Sequence, residues 1–165
     1  MVRAVTEGSA TIGLLPVPES DDEDPWWRLL ANDGKGTPRI IARVPFVSME
    51  PALPNGAEGL AVALALNESS GADRSYFVIE TAEPVSRTSL AEQLAKSGLQ
   101  VRDIQHWDSP EQRLHLVELA GYIDGDDPRL GSLGINGGEA PRVWAIGGYA
   151  IPLTAEDLAV RDGEP

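Results

Sequence analysis

The run Arg74-Ser75-Tyr76-Phe77-Val78-Ile79-Glu80, followed by Ser89-Leu90-Ala91-Glu92-Gln93-Leu94-Ala95-Lys96-Ser97 and Gly98, decides the fold. The first piece is apolar at its centre and bounded by charge, a strand pattern. In the second, Leu90 and Leu94 share one helix face, Ser89 and Glu92 have capping-box spacing, and Gly98 supplies the left-handed stop. Working outward, residues 99–106 and 113–119 read as two further strands joined by the turn Asp108-Ser109-Pro110-Glu111, a hairpin. Asp127-Pro128-Arg129-Leu130 opens a short second helix, because a carboxylate cap followed by proline is a helix start. Arg142 to Gly147 is the last strand. The order β-α-β-β-α-β predicts a split βαβ, or ferredoxin-like, unit in an α+β protein.

Alternate residues of these strands point to opposite faces, and both faces are apolar. Phe77 and Ile79 oppose Tyr76 and Val78, and Trp144 and Ile146 oppose Val143 and Ala145. A strand apolar on both faces is normally covered on both, whereas this unit has helices for one. The second face is therefore expected to pack against the N-terminal half or a second subunit, so a homodimer or other sheet-packing partner is anticipated.

The N-terminal half reads as a smaller α/β segment. Residues 2–8 form a short helix stopped by Gly8, and Ala10 to Pro18 is a buried strand ended by prolines. Asp24-Pro25-Trp26-Trp27-Arg28 repeats the Asp-Pro helix start, and the turn cluster at 32–36 keeps that helix short. Pro38 to Val47 is a second strand, Met49 to Gly59 a Pro/Gly loop, and Leu60 to Leu66 fits a third strand covered on both faces, with a buried helix as the alternative its alanines allow. A polar stretch at 67–73 marks a boundary. The division expected is a segment 1–70, a unit 71–152, and an acidic tail 153–165 that frays.

The chain has 165 residues, with 13 Lys+Arg against 26 Asp+Glu, a net charge of −13. At 42% hydrophobic it can bury a core. The negative charge argues against nucleic acid and anionic membrane surfaces as partners. No cysteine is present, which removes disulfides, thiolate metal sites and cysteine catalysis, and two histidines leave little for a histidine metal site. No apolar run is long enough to span a bilayer and no signal peptide is evident, so a cytoplasmic location is expected.

Individual motifs read structurally. Gly134-Ile135-Asn136-Gly137-Gly138 lacks the Lys-Ser/Thr of a phosphate loop and reads as a turn. His106 and His115 lie on opposite hairpin arms near Asp108, a pair without an obvious third metal ligand. Trp26 and Trp27 read as core. The five acids within Glu19–Asp24 lack calcium-loop spacing and read as a solvated loop. Asp124, Asp126 and Asp127 read as turn and cap residues, and Ser69-Ser70-Gly71 has no nucleophile-elbow context. The residues alone present no catalytic constellation, and no cofactor or metal is expected.

A resemblance adds to this reading. Leu116 to Leu130, through Gly121-Tyr122-Ile123-Asp124-Gly125-Asp126-Asp127-Pro128-Arg129, resembles the ACT regulatory domain of prephenate dehydratases. In that family a strand ending in an acidic–apolar pair runs into Gly-His, then Asp-Asp-Pro-Arg and a helix. Ile146-Gly147-Gly148-Tyr149-Ala150-Ile151-Pro152 is similar to the family's closing Leu-Gly-Ser-Tyr-Pro. The likeness covers about residues 72–152. Upstream, Gly8 to Pro16 is similar to the dehydratase segment Ala-Asp-Tyr-Gly-Val-Leu-Pro, and Pro38-Arg39-Ile40-Ile41-Ala42-Arg43 sits where that family has Thr-Arg-Phe. Asp24-Pro25-Trp26-Trp27-Arg28 followed by Pro38 to Phe46 looks like the C-terminal half of a bacterial group of chorismate mutases, which carry a helical mutase domain, a degenerate dehydratase-like region and an ACT-like end.

The resemblance implies a non-catalytic regulatory or assembly region of aromatic amino-acid biosynthesis, with the chain starting inside the middle region and a helical mutase domain as its fused partner. Pro38 stands where the family has its catalytic threonine and has no hydroxyl to donate. A divergent dehydratase using Thr37 is the enzymatic alternative, and a stand-alone ACT-like interaction protein a third. Mutase chemistry needs long helices around a cationic pocket, which this chain does not offer. Glu83 to Leu90 replaces the family's Gly-Ala-Leu effector turn, and Gln105-His106-Trp107-Asp108 replaces its Glu-Ser-Arg-Pro. Ser86, Arg87, His106 and Trp107 are the candidate effector residues, with Trp107 stacking on an aromatic amino acid and Arg87 pairing with its carboxylate.

Overall fold

A computed structural model of the chain describes residues 1–20, 22–34, 36–48, 58–134 and 140–159. Its first elements are α1 (Val2–Thr6), β1 (Ile12–Pro16), a five-residue 3-10 helix (Trp26–Leu30), β2 (Arg39–Val44), β3 (Val47–Ser48) and β4 (Gly59–Ala63). The second half continues with β5 (Asp73–Glu80), α2 (Arg87–Lys96), β6 (Val101–Asp108), β7 (Arg113–Ala120), α3 (Pro128–Gly131), β8 (Arg142–Ala150), β9 (Leu153–Thr154) and α4 (Ala155–Ala159). The protein is α+β, as its pattern of elements predicts.

Seven strands make one sheet in the order β1-β4-β2-β8-β5-β7-β6. The last four, all antiparallel, are the ferredoxin-like unit: its fourth, first, third and second strands side by side. The N-terminal strands join through β2, which runs parallel to β8 at the single register pair Ile40↔Gly147. Gly147 adopts φ +114, and β8 carries an extra residue at this point relative to β5. A side chain here would collide with the backbone of Ile40, so glycine is what lets the two strands touch.

The two faces of the sheet bury separate cores. Phe77, Ile79, Val117 and Leu119 pack with Leu90 and Leu94 of α2 and Leu130 of α3. Each of these fully buried leucines contributes about 1.5–3 kcal/mol of transfer free energy. On the other face Tyr76, Val78, Leu114, Leu116, Trp144 and Ile146 pack with Val2 and Val5 of α1 and with Trp27 and Leu30. Of the two coverings expected for that face, the structure supplies the N-terminal half.

Four local readings are corrected. Helix α2 starts three residues early: Ser86, not Ser89, is its cap, with the Ser86 hydroxyl oxygen accepting from the Ser89 N–H at 3.1 Å. The Asp24-Pro25 start gives only a tight 3-10 turn in which Arg28 and Ala31 N–H bond three residues back, and Asp24 pairs with Arg28 at 2.5 Å instead of capping. Strand β1 is buried on one face only, because it is the sheet edge and leaves Ile12 and Leu14 exposed. Residues 153–159 hold elements of their own. β9 pairs with β3, and Thr154 and Asp157 cap α4 reciprocally, the Thr154 N–H donating to Asp157 Oδ2 at 2.7 Å and the Asp157 N–H to Thr154 Oγ1 at 3.2 Å.

Candidate functional site

The four residues singled out at the α2–β6 end divide between the two faces. Arg87 Nη2 donates to His106 Nδ1 at 3.2 Å, and both side chains are exposed. That bond leaves the His106 Nε2 nitrogen facing away with its proton. Ser86 is occupied by capping α2. Trp107 follows His106 on the strand and points to the other face, half-buried against the N-terminal core. Its indole N–H donates to the Glu23 carbonyl at 3.0 Å, and the Arg28 guanidinium lies 3.5 Å from its ring centroid. The ring that would stack on a ligand is thus already stacked by the chain's own arginine.

His115 faces His106 across the hairpin and is buried. Its Nε2 lies 3.2 Å from the Thr81 hydroxyl, while Nδ1 has no partner. Burial pushes its pKa below the ordinary 6.5, with His106 and Arg87 adding to the fall and Asp108 opposing it. Among the described residues no three His, Asp or Glu side chains converge as a metal group. Of Gly134–Gly138 only Gly134 falls within those residues. Asp127 caps α3 and pairs with Arg129 at 2.7 Å, which holds its carboxyl at about 2.

A second constellation lies where β2 meets β8. Two cavities, about 450 and 720 Å³, adjoin there and share Arg39, Leu66, Asp124, Gly125 and Ala145 in their walls. Arg39 is half-buried and spans the seam, donating through Nη1 to the Ala145 carbonyl at 3.0 Å. Among the described residues it has no carboxylate partner. Asn67 closes the smaller cavity: its amide N–H donates to the Gly148 carbonyl at 2.5 Å, and the Tyr122 hydroxyl donates to the Asn67 backbone carbonyl at 3.1 Å. The Asn67 side-chain oxygen is buried without a partner. Ser75 anchors the loop above, donating to the Gly121 carbonyl and accepting from the Ile123 N–H, both at 2.9 Å. Asp73 is buried and already satisfied, by the N–H groups of Ser70 and Gly71 at 3.0 and 3.1 Å and the Ser70 hydroxyl at 2.7 Å.

The larger cavity carries Thr37, Pro38 and Arg39 in its wall. The Thr37 hydroxyl has two acceptors for its single proton, Asn32 Oδ1 at 2.6 Å and the Gly34 carbonyl at 2.8 Å, so it closes the loop before β2. Behind the seam, on the N-terminal face, Tyr149 donates to Glu118 at 2.5 Å and accepts from Arg43 at 2.9 Å, while Arg43 also pairs with Glu58. Burial first, then the Glu118 contact, pushes the Tyr149 phenol up to about 12. Sequence reasoning missed the seam because residues 39, 67 and 122–124 meet only through the β2–β8 pairing. Its one signal was Arg39, a cation at the head of an apolar strand.

No protein-family model matches the sequence, and no curated protein does. Solved structures do match. GqqA, described as a novel type of quorum-quenching acylase, has TM-score 0.60 at 12% identity over 90% of this chain and 77% of its own. Prephenate dehydratase from Streptococcus mutans has TM-score 0.55 at 11% identity, over 90% of this chain and 78% of that one. Prephenate dehydratase from Arthrobacter aurescens in complex with L-Phe has TM-score 0.58 at 17% identity, with the same coverages of 90% and 78%. At these identities the comparison defines the fold, which is prephenate dehydratase-like. An acylase and two dehydratases share it, so the fold does not select the activity.

Proposed function

We propose that the chain is a regulatory or assembly region of aromatic amino-acid metabolism, associated with chorismate mutase and without catalysis of its own. In this reading residues 1–70 are a degenerate dehydratase-like segment, 71–152 an ACT-like unit and 153–165 its acidic tail. The observation that carries it is a complete ferredoxin-like unit within a dehydratase-like fold whose hydroxyl position holds the buried Pro38. A dehydratase of this fold in complex with L-Phe supports an aromatic amino acid as the sensed metabolite. Its carboxylate is assigned to Arg87 with His106, the exposed cationic corner at the start of α2. Trp107 no longer has a part, because Arg28 and Glu23 hold it on the opposite face.

Calorimetry of the whole chain with phenylalanine, tyrosine and tryptophan tests this. One of the three is expected to bind, and Arg87→Ala to weaken it at least tenfold through loss of a charge-assisted contact. Absence of heat with all three removes sensing and leaves assembly. A second reading, a divergent dehydratase, is favoured by one observation: Thr37 and Arg39 line the same 720 Å³ cavity. Phenylpyruvate formed from prephenate and abolished by Thr37→Ala would replace the regulatory reading.

A further inference from the structure

We propose that the smaller seam cavity is a second ligand site, for a free α-amino acid with an apolar side chain, distinct from the α2–β6 corner. Its volume of about 450 Å³ falls in the range of small-molecule sites. Its lining offers a positive donor. Arg39 spends one N–H on the Ala145 carbonyl and has no carboxylate among the described residues, in a chain with twice as many acids as bases. The guanidinium presents its other N–H groups in a fork that suits a carboxylate.

The same cavity offers acceptors. Glu68 and Asp124 belong to its lining with their charge exposed. Ile41, Leu66, Tyr122 and Ile123 add apolar surface without a formal charge. A cationic donor, two carboxylates and apolar surface in one cavity are the complement of a zwitterion. The carboxylate goes to Arg39, the ammonium to Glu68 and Asp124, and the side chain to the apolar surface. A dicarboxylate would set its second charge against Glu68 and Asp124, and a plain fatty acid would leave them without a cation.

The seam site and the α2–β6 corner lie at opposite ends of β5, so variants separate them. The test is calorimetry of the whole chain with L-leucine and L-isoleucine, and with N-acetyl-L-leucine and 4-methyl-2-oxopentanoate, which lack the ammonium. Saturable binding of at least one free amino acid is expected, with the two controls at least tenfold weaker. Arg39→Gln and Asp124→Asn are each expected to weaken binding, the first at least tenfold, and Arg87→Ala to leave it unchanged. Asp124 is exposed and asparagine can still accept from the Gly125 N–H, so a destabilised Arg39→Gln chain does not blunt the test. No binding of either amino acid, equal binding of the controls, or binding lost in Arg87→Ala but kept in Asp124→Asn overturns the proposal. The last outcome would place the ligand at the α2–β6 corner and so leave the regulatory reading standing.

Discussion

His115 shows what one side chain can report. It is buried with a single hydrogen bond, and its pKa is driven below 6.5 by desolvation. The unfolded chain therefore takes up a proton at a pH where the folded chain does not. Stability contributed by the neutral ring is fully present above about pH 6.5 and is lost as pH falls below it. Thermal unfolding of the wild type should weaken from pH 7 toward pH 5, and His115→Gln should flatten that decline. An identical pH profile for the variant would mean that His115 is not the titrating group. At this scale the sequence was partly legible. His106 and Arg87 were singled out at the positions the family resemblance marks, and they do touch. Trp107 was singled out the same way and belongs elsewhere, because adjacent strand residues face opposite ways and the chain supplies Arg28 to stack on it.

At the scale of elements, the boundaries of α2 carry a lesson about competing signals. Ser86 and Ser89 are both sound caps, and the capping-box spacing to Glu92 favours Ser89 in the sequence. The structure uses Ser86, which places three further residues in the helix and keeps Leu90 and Leu94 on the same buried face. Ser86→Ala should cost about 1 kcal/mol in a urea melt, while Ser89→Ala, whose backbone N–H still donates, should cost little. The reverse order would restore the later start. The strands of the second half were legible because runs such as Tyr76 to Ile79 leave no helical alternative. β9 and α4 were not, since two-residue pairing with β3 and the Thr154–Asp157 cap have no hydrophobic period to announce them.

Across the whole molecule, the two halves meet at the β2–β8 contact, at the short β3–β9 pairing and in one shared core. Gly147→Ala would drive a methyl group into Ile40 at a positive φ and should cost about 3 kcal/mol or more from strain and overpacking together. A midpoint in urea unchanged from wild type would show that the β2–β8 seam tolerates a side chain. The ferredoxin order was readable from the sequence, because each of its strands has its own apolar run. The seam was not, because parallel pairing between residues 40 and 147 leaves no local trace. The core on the N-terminal face has a further consequence. Tyr76, Val78, Trp144 and Ile146 share one core with Val2, Val5, Trp27, Leu30, Ile40, Leu60 and Val62. The ferredoxin-like unit therefore cannot be moved between proteins as a cassette. Excised at residue 71, it would carry a greasy underside into water, and any fusion or trimming that respects its chemistry must keep the N-terminal half as its lining.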